Sequence, residues 1–112
     1  MGIYKTVGHI ESARETRVQT DLQTLKTQLT LYESRNGFCP TTEQGLKALV
    51  TAPTTDPKPA HWIQLYESEP KDPWENPYIY RCPGIRRPDK YDIFSAGRDR
   101  KPDTADDIWL QQ

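Results

Sequence analysis

The sequence lacks the features that mark several large classes of protein. No apolar run approaches about 18 residues, so we expect no part of this chain to span a membrane, and no secretory signal peptide is recognisable. The formal net charge is only −1, which argues against nucleic acid or an acidic membrane surface as a main partner. Hydrophobic residues make up 34% of the 112 positions, so the predicted core is thin and depends on three Trp and six Tyr.

Cysteine is scarce, and its placement excludes a common metal site. Cys39 and Cys82 are the only two, and neither lies in a C-x-x-C pair or near a clustered His, so zinc is not expected. We predict a disulfide between Cys39 and Cys82, which would join the end of the first helix to a later strand and would indicate an oxidising compartment such as a periplasm. Two separate buried thiols are the alternative.

Chemistry-bearing motifs are also missing. Neither His has a recognisable Ser or Cys partner, and there is no glycine-rich phosphate loop, so we expect no enzyme activity. The remaining enzymatic alternative is an enzyme that acts on glycans and uses the adjacent Asp106 and Asp107 as acid and base.

One long amphipathic helix organises the chain. Five apolar residues recur at intervals of four and three and share one stripe of an α-helix: Val18, Leu22, Leu25, Leu29 and Tyr32. The pair Asn36-Gly37 is a strong helix-end signal. Apolar residues at Ile3, Tyr4, Val7 and Ile10 extend the pattern, so the helix is predicted over 3–36. We expect those early apolar side chains to be covered by a neighbouring chain or by a segment absent here.

The rest of the chain, 37–112, is predicted to cover that stripe. A capping-box pair, Thr41 and Gln44, opens a second short helix that Pro53 ends. Aromatic and β-branched content predicts strands at 78–81 and 91–95, antiparallel and joined by a basic loop over 86–90, with a short last strand at 108–110. The predicted fold class is α+β, one domain over 1–112, with the long helix on a small antiparallel sheet.

The carboxyl-terminal stretch is acidic. Asp99, Asp103, Asp106 and Asp107 fall within nine residues, and adjacent carboxylates repel one another unless something compensates them. Calcium accepts six to eight oxygen ligands, both carboxylates and backbone carbonyls, and the stretch is not an EF-hand. The composition leaves two possibilities open, a calcium loop and a solvated acidic turn balanced by Arg98, Arg100 and Lys101.

Three separate motifs resemble one family. Residues 36–49, NGFCPTTEQGLKAL, are similar to the N-G-x-Y-P-T-T-E-Q-G-L-x-A-L signature of the major pseudopilins of type II secretion systems. Residues 71–78, KDPWENPY, resemble that family's K-D-P-W-G-N-x-Y, and residues 91–99, YDIFSAGRD, resemble its D-I-x-S-x-G-x-D. The three occur in the family's order and cover most of the chain from residue 18.

The resemblance implies a pilin-like fold and a structural role. Family members anchor in the bacterial inner membrane through a hydrophobic amino-terminal helix half, which this chain lacks, and expose the remainder to the periplasm. They self-associate into a helical filament, the pseudopilus, with minor pseudopilins and inner-membrane secretion machinery as partners, and so drive export of folded proteins across the outer membrane. Membrane contact is expected only through the missing segment.

The resemblance also implies a calcium ion (Ca2+) in the carboxyl-terminal loop. Its ligands, carried onto this chain, are the side chains of Asp99, Asp106 and Asp107 and the backbone carbonyls of Ala96 and Thr104. Arg100 and Asp103 depart from the family, which commonly has Gly there, and could alter the path of the loop.

Two other functions share parts of this pattern. A minor pseudopilin or a type IV pilin subunit has the same helix-on-sheet plan. A stand-alone calcium-dependent binding module would use an exposed aromatic surface built from Trp62, Tyr66 and Trp74.

Overall fold

One long helix organises the fold. The computed structural model describes the backbone of residues 2–111 and the side chains of residues 12–111. Helix α1 spans Gly2–Asn36, in agreement with the prediction. All five residues of the predicted stripe are at most 1% exposed, so the spacing identified the buried face correctly. The side chains of Ile3, Tyr4, Val7 and Ile10 lie outside the described residues, so the expectation about what covers them is not tested.

The second predicted helix is much shorter than expected. Gln44 N–H donates to Thr41 Oγ1 at 3.1 Å and Thr41 N–H donates to Gln44 Oε1 at 3.0 Å, which is the predicted reciprocal pair. Only one turn follows, because Gly45 takes φ +63° and redirects the backbone. A 3-10 helix over Leu46–Leu49 then places Leu46, Ala48 and Leu49 in the core.

A three-stranded antiparallel sheet packs against α1. Strand β1 spans Ile79–Arg81, β2 spans Asp92–Ser95 and β3 spans Ile108–Trp109, in the order β1-β2-β3. Tyr80 pairs with Ile93, and Phe94 pairs with Trp109. The α+β class and the three strand positions are therefore confirmed, each strand being one residue shorter than predicted.

Aromatic side chains from the irregular segments complete the core. Trp62, Tyr66 and Trp74 are partly buried and pack against the hydrophobic cluster, and Trp62 Nε1 donates to the Ala48 carbonyl at 2.7 Å. They do not form the exposed aromatic surface that a stand-alone binding module would need. Within residues 2–111, no helix is both long enough and apolar enough to cross a membrane.

Candidate metal centre

A buried carboxylate lies where the chain enters the acidic loop, the name used here for residues 96–107 between β2 and β3. Asp72 is fully buried, and its Oδ1 accepts from the backbone N–H of Trp74 at 3.0 Å and of Asn76 at 2.9 Å. Its Oδ2 accepts from the hydroxyl of Ser95, the last residue of β2, at 2.8 Å. Ser95 Oγ in turn accepts from Gly97 N–H at 3.0 Å. The turn at 72–76 is thus joined to the point where the chain leaves the sheet.

The predicted ligand carboxylates brace the loop by accepting from backbone N–H groups. Asp106 Oδ2 accepts from Asp99 N–H at 3.2 Å, and Asp107 Oδ2 accepts from Asp103 N–H at 2.8 Å. Asp99 Oδ1 accepts from Lys101 N–H at 3.0 Å. That last hydrogen bond, followed by one from the Thr104 side chain, holds the pKa of Asp99 below its usual range.

An ion pair that the sequence did not indicate ties the loop to the sheet. The Arg81 guanidinium, on β1, donates to both carboxylate oxygens of Asp103 at 3.0 and 2.8 Å. It also lies 5.2 Å from the centre of the Phe94 ring. The pairing lowers the pKa of Asp103 and raises the pKa of Arg81. The two residues are 22 positions apart, which is too far for a local sequence pattern to indicate the pair.

The acidic loop contains one glycine and two non-glycine residues that have positive φ. Gly97 has φ +79°, and a Cβ there would overlap the backbone of Asp106, so glycine is required where the two arms of the loop cross. Arg100 and Asp103 also have positive φ, +62° and +66°. The two departures from the family's glycines therefore keep left-handed backbone geometry, at a steric cost that glycine would not incur.

Comparison with known proteins now identifies the family. A sequence model of the family described as Type II secretion system (T2SS), protein G matches residues 5–110. The chain belongs to this protein G family, the major pseudopilins. A type II secretion system core protein G of Dickeya chrysanthemi is 43% identical over 104 residues, which cover 91% of this chain and 67% of that protein. One from Pseudomonas aeruginosa is 37% identical over 98 residues, covering 86% and 68%.

A solved pseudopilin has the same fold. The crystal structure of the major pseudopilin from the type 2 secretion system of enterohaemorrhagic Escherichia coli superposes with a TM-score of 0.82 at 41% identity, covering 90% of this chain and 85% of that one. The resemblance found in the three sequence motifs is confirmed. The chain spans about two thirds of the length of the curated relatives it matches.

The oxygen donors expected of a pseudopilin calcium loop are present but are not gathered around one point. Among the described residues, no group of three or more His, Cys, Asp or Glu side chains is arranged to hold a metal ion. The donor chemistry nevertheless fits a hard cation, since carboxylate and carbonyl oxygens are the ligands that calcium takes. Asp107 Oδ1 is buried and has no hydrogen-bond partner, an arrangement that costs free energy unless a cation compensates it.

The two predicted carbonyl ligands lie at opposite ends of the same loop. Ala96 is buried at the end of β2, and exposed Thr104 precedes the two adjacent carboxylates. The Thr104 carbonyl accepts from Asp107 N–H at 3.2 Å, which keeps it beside that carboxylate. The residues that the resemblance pointed to therefore share one loop, and the fit to calcium rests on donor type and on the unpaired Asp107 oxygen.

The predicted Cys39–Cys82 disulfide is wrong, because both cysteines are free thiols. Cys39 Sγ donates to Glu33 Oε2 on α1 at 3.3 Å, and burial, reinforced by that contact, raises the pKa of the thiol to about 12. The backbone of Cys82 is fastened instead to Thr42, whose hydroxyl accepts from Cys82 N–H at 2.8 Å and donates to its carbonyl at 3.1 Å. The segment after α1 and the end of β1 are therefore joined by two hydrogen bonds of the Thr42 hydroxyl rather than by a disulfide.

Proposed function

We propose that this chain is the part of a polymerising major pseudopilin that extends from the membrane, and that assembly of the filament drives export of folded proteins across the outer membrane. Its role is structural rather than enzymatic. The partners are further copies of itself, minor pseudopilins and the inner-membrane secretion machinery. Location in the periplasm, with an anchor in the inner membrane, belongs to the same proposal.

The observation that carries this proposal is the agreement in fold with a solved major pseudopilin over 90% of the chain. The family match over residues 5–110 favours the major subunit over a minor pseudopilin or a type IV pilin. A stand-alone binding module is disfavoured because Trp62, Tyr66 and Trp74 pack into the core instead of forming an exposed surface.

Calcium is proposed as the ion that stabilises the acidic loop. Asp99, Asp106 and Asp107 would supply carboxylate oxygens, and Ala96 and Thr104 would supply carbonyl oxygens. A bound ion offsets the repulsion between adjacent carboxylates and satisfies the unpaired oxygen of Asp107. Because Asp103 N–H holds the other oxygen of Asp107, the side chain is already oriented. Stabilising the loop would also fix β3, which follows it directly and pairs with β2.

Restoration of secretion tests the proposed function. A hydrophobic amino-terminal helix half of the kind expected for this family would be joined ahead of this chain, and the chimera would be produced in a strain lacking its own protein G. We expect filaments by electron microscopy and recovery of exoprotein secretion, with that strain's own protein G as the positive control and the unjoined chain as the negative one. A chimera that accumulates, is folded and anchored, yet gives neither filaments nor secretion would overturn the proposal.

A further inference from the structure

A groove lined by basic side chains runs between α1 and the loop that joins β1 to β2. It has a volume of about 330 Å³. Four cations line it, Lys26 from the helix and Arg86, Arg87 and Lys90 from the loop, and we call it the basic groove. Its floor includes the apolar side chains of Leu29 and Ile93. It lies outside the acidic loop and has no part in the proposed calcium site.

The four cations of the basic groove form no salt bridge with the side chains of residues 12–111. The salt bridges seen there include Arg17–Asp21 and Arg81–Asp103, and none of the four cations takes part in either. The groove also contains two acids, Glu33 and Asp92, which keep their negative charge while they accept hydrogen bonds from the Cys39 thiol and from backbone N–H groups. The positive side chains still outnumber the negative ones, so the groove offers a net positive charge to an external partner.

The loop that carries three of these cations is held in one shape. Asp92 accepts from the backbone N–H groups of Ile85, Arg86 and Arg87 at 2.8, 2.9 and 3.0 Å. The Arg86 guanidinium lies 4.4 Å from the centre of the Trp109 ring, which fixes that side chain as well. Because this order exists before any partner arrives, binding an anionic segment loses less conformational entropy than it would on a mobile loop.

The chain carries an acidic segment of matching chemistry elsewhere on its surface. Glu67 and Glu69 are exposed, two residues apart, and have no ion pair or hydrogen bond among the described residues. Burial, and after it the nearby carboxylate of Asp21 on α1, raises the pKa of their neighbour Tyr66. Asp21 and Lys26 are five residues apart on α1, about 140° around the helix. The acidic segment and the basic groove therefore lie on different sides of α1.

We propose that the basic groove receives residues 67–69 of a second copy of this chain. Two unlike, complementary surfaces on different sides of one molecule make a head-to-tail contact, which repeats into a helical filament unless the rotation between copies closes a ring. The carboxylates of Glu67 and Glu69 would meet Lys26, Arg87 and Lys90. The inference rests on the proposed function and names the surfaces by which copies meet.

Zero-length cross-linking tests the contact directly. A carbodiimide joins carboxylates to amines in contact, so an equal mixture of ¹⁵N-labelled and unlabelled chain at low salt should give peptides linking Lys26 or Lys90 to Glu67 or Glu69. Mixed isotope labels in one peptide would prove that two copies are joined. Exposed Lys58, outside the groove, is the reference for unspecific coupling. Linkage of Lys26 and Lys90 to the acidic loop instead, or no more linkage than at Lys58, would overturn the assignment.

Charge reversal separates a specific contact from general attraction. Arg87→Glu leaves both reactive lysines in place and should reduce their cross-links to Glu67 and Glu69 about tenfold, because like charges then face each other. Glu67→Lys with Glu69→Lys removes the carboxylates that couple and should abolish the cross-link while leaving the groove of that variant intact. Mixing the two reversed proteins should restore it, and failure to restore it with both proteins folded would contradict the proposal. If the secretion chimera forms filaments while these cross-links are absent, this inference fails and the proposed function stands. If filaments are also absent, the function itself fails.

Discussion

Replacing Asp72 by alanine removes the carboxylate that joins the turn at 72–76 to the end of β2. Three hydrogen bonds are lost, from Trp74 N–H, Asn76 N–H and the Ser95 hydroxyl, and their donors stay in a buried region. A hydrogen bond to a charged acceptor contributes about 1.5–3 kcal/mol. Alanine also removes the cost of burying a charge, so we expect the free energy of unfolding to fall by about 3–5 kcal/mol. For a domain of this size that corresponds to a melting temperature lower by about 15–25 °C.

Urea and thermal unfolding followed by circular dichroism measure this loss. Asp72→Asn keeps an oxygen acceptor and similar volume, so its loss should be smaller, about 1–2 kcal/mol. Asp89→Ala is the matched control, because that carboxylate is exposed in the β1–β2 loop and should change stability by less than about 0.5 kcal/mol. If Asp72→Ala loses less than about 1 kcal/mol, the network does not hold the loop and the reasoning is refuted.

The backbone geometry of the acidic loop and the two thiols lead to four further predictions. Arg100→Gly should raise the free energy of unfolding by about 0.5–1 kcal/mol because it relieves positive φ, whereas Asp103→Gly should not, because it also removes the Arg81 ion pair; equal gains would contradict the importance of that pair. A thiol reagent should count two thiols on denatured, unreduced protein, and a count of none would restore the disulfide. In the native protein at pH 8, the Cys39 thiol should react about 30–60-fold more slowly than after denaturation, since its pKa of about 12 leaves roughly a thousandfold less thiolate, partly offset by greater nucleophilicity. The pKa of Cys39 in the folded protein lies above its ordinary value of 9.0. The contribution of Cys39 to the free energy of unfolding is therefore fully present below about pH 9 and is lost as the pH rises toward 12. In a Cys39→Ser variant, the free energy of unfolding should depend less on pH in this alkaline range.

Features set by neighbouring residues could be predicted from the sequence. The buried stripe of α1 follows from a spacing that repeats every turn, and all five of its residues are buried as expected. The reciprocal Thr41–Gln44 hydrogen bonds were likewise predictable, since both partners lie within four residues. The length of the helix after them was not, because Gly45 takes a positive φ that other residues seldom adopt and that glycine adopts only in some contexts.

Features set by distant contacts were missed or misjudged. The Arg81–Asp103 pair and the ring of N–H groups around Asp92 depend on how the β1–β2 loop and the acidic loop fold back on the sheet, which local pattern does not encode. The disulfide failed for a related reason. Two cysteines in a chain suggest a bond, but the direction of Cys39 Sγ is set by its contact with Glu33 on the helix. The clustered Asp residues indicated a calcium loop as one of two possibilities, and the family resemblance selected the individual ligands, which stay a prediction.

Calcium titration of the intact chain tests the central claim most directly. Isothermal calorimetry and thermal unfolding at pH 7 should show one ion bound per chain and, at a free concentration about 100-fold above the dissociation constant, a gain of about 2.7 kcal/mol or roughly 10 °C. Chelator should reverse the gain, Asp107→Asn should abolish it, and Asp89→Asn should preserve it. No heat of binding and no shift in melting temperature at saturating calcium, with the loop folded, would contradict the account.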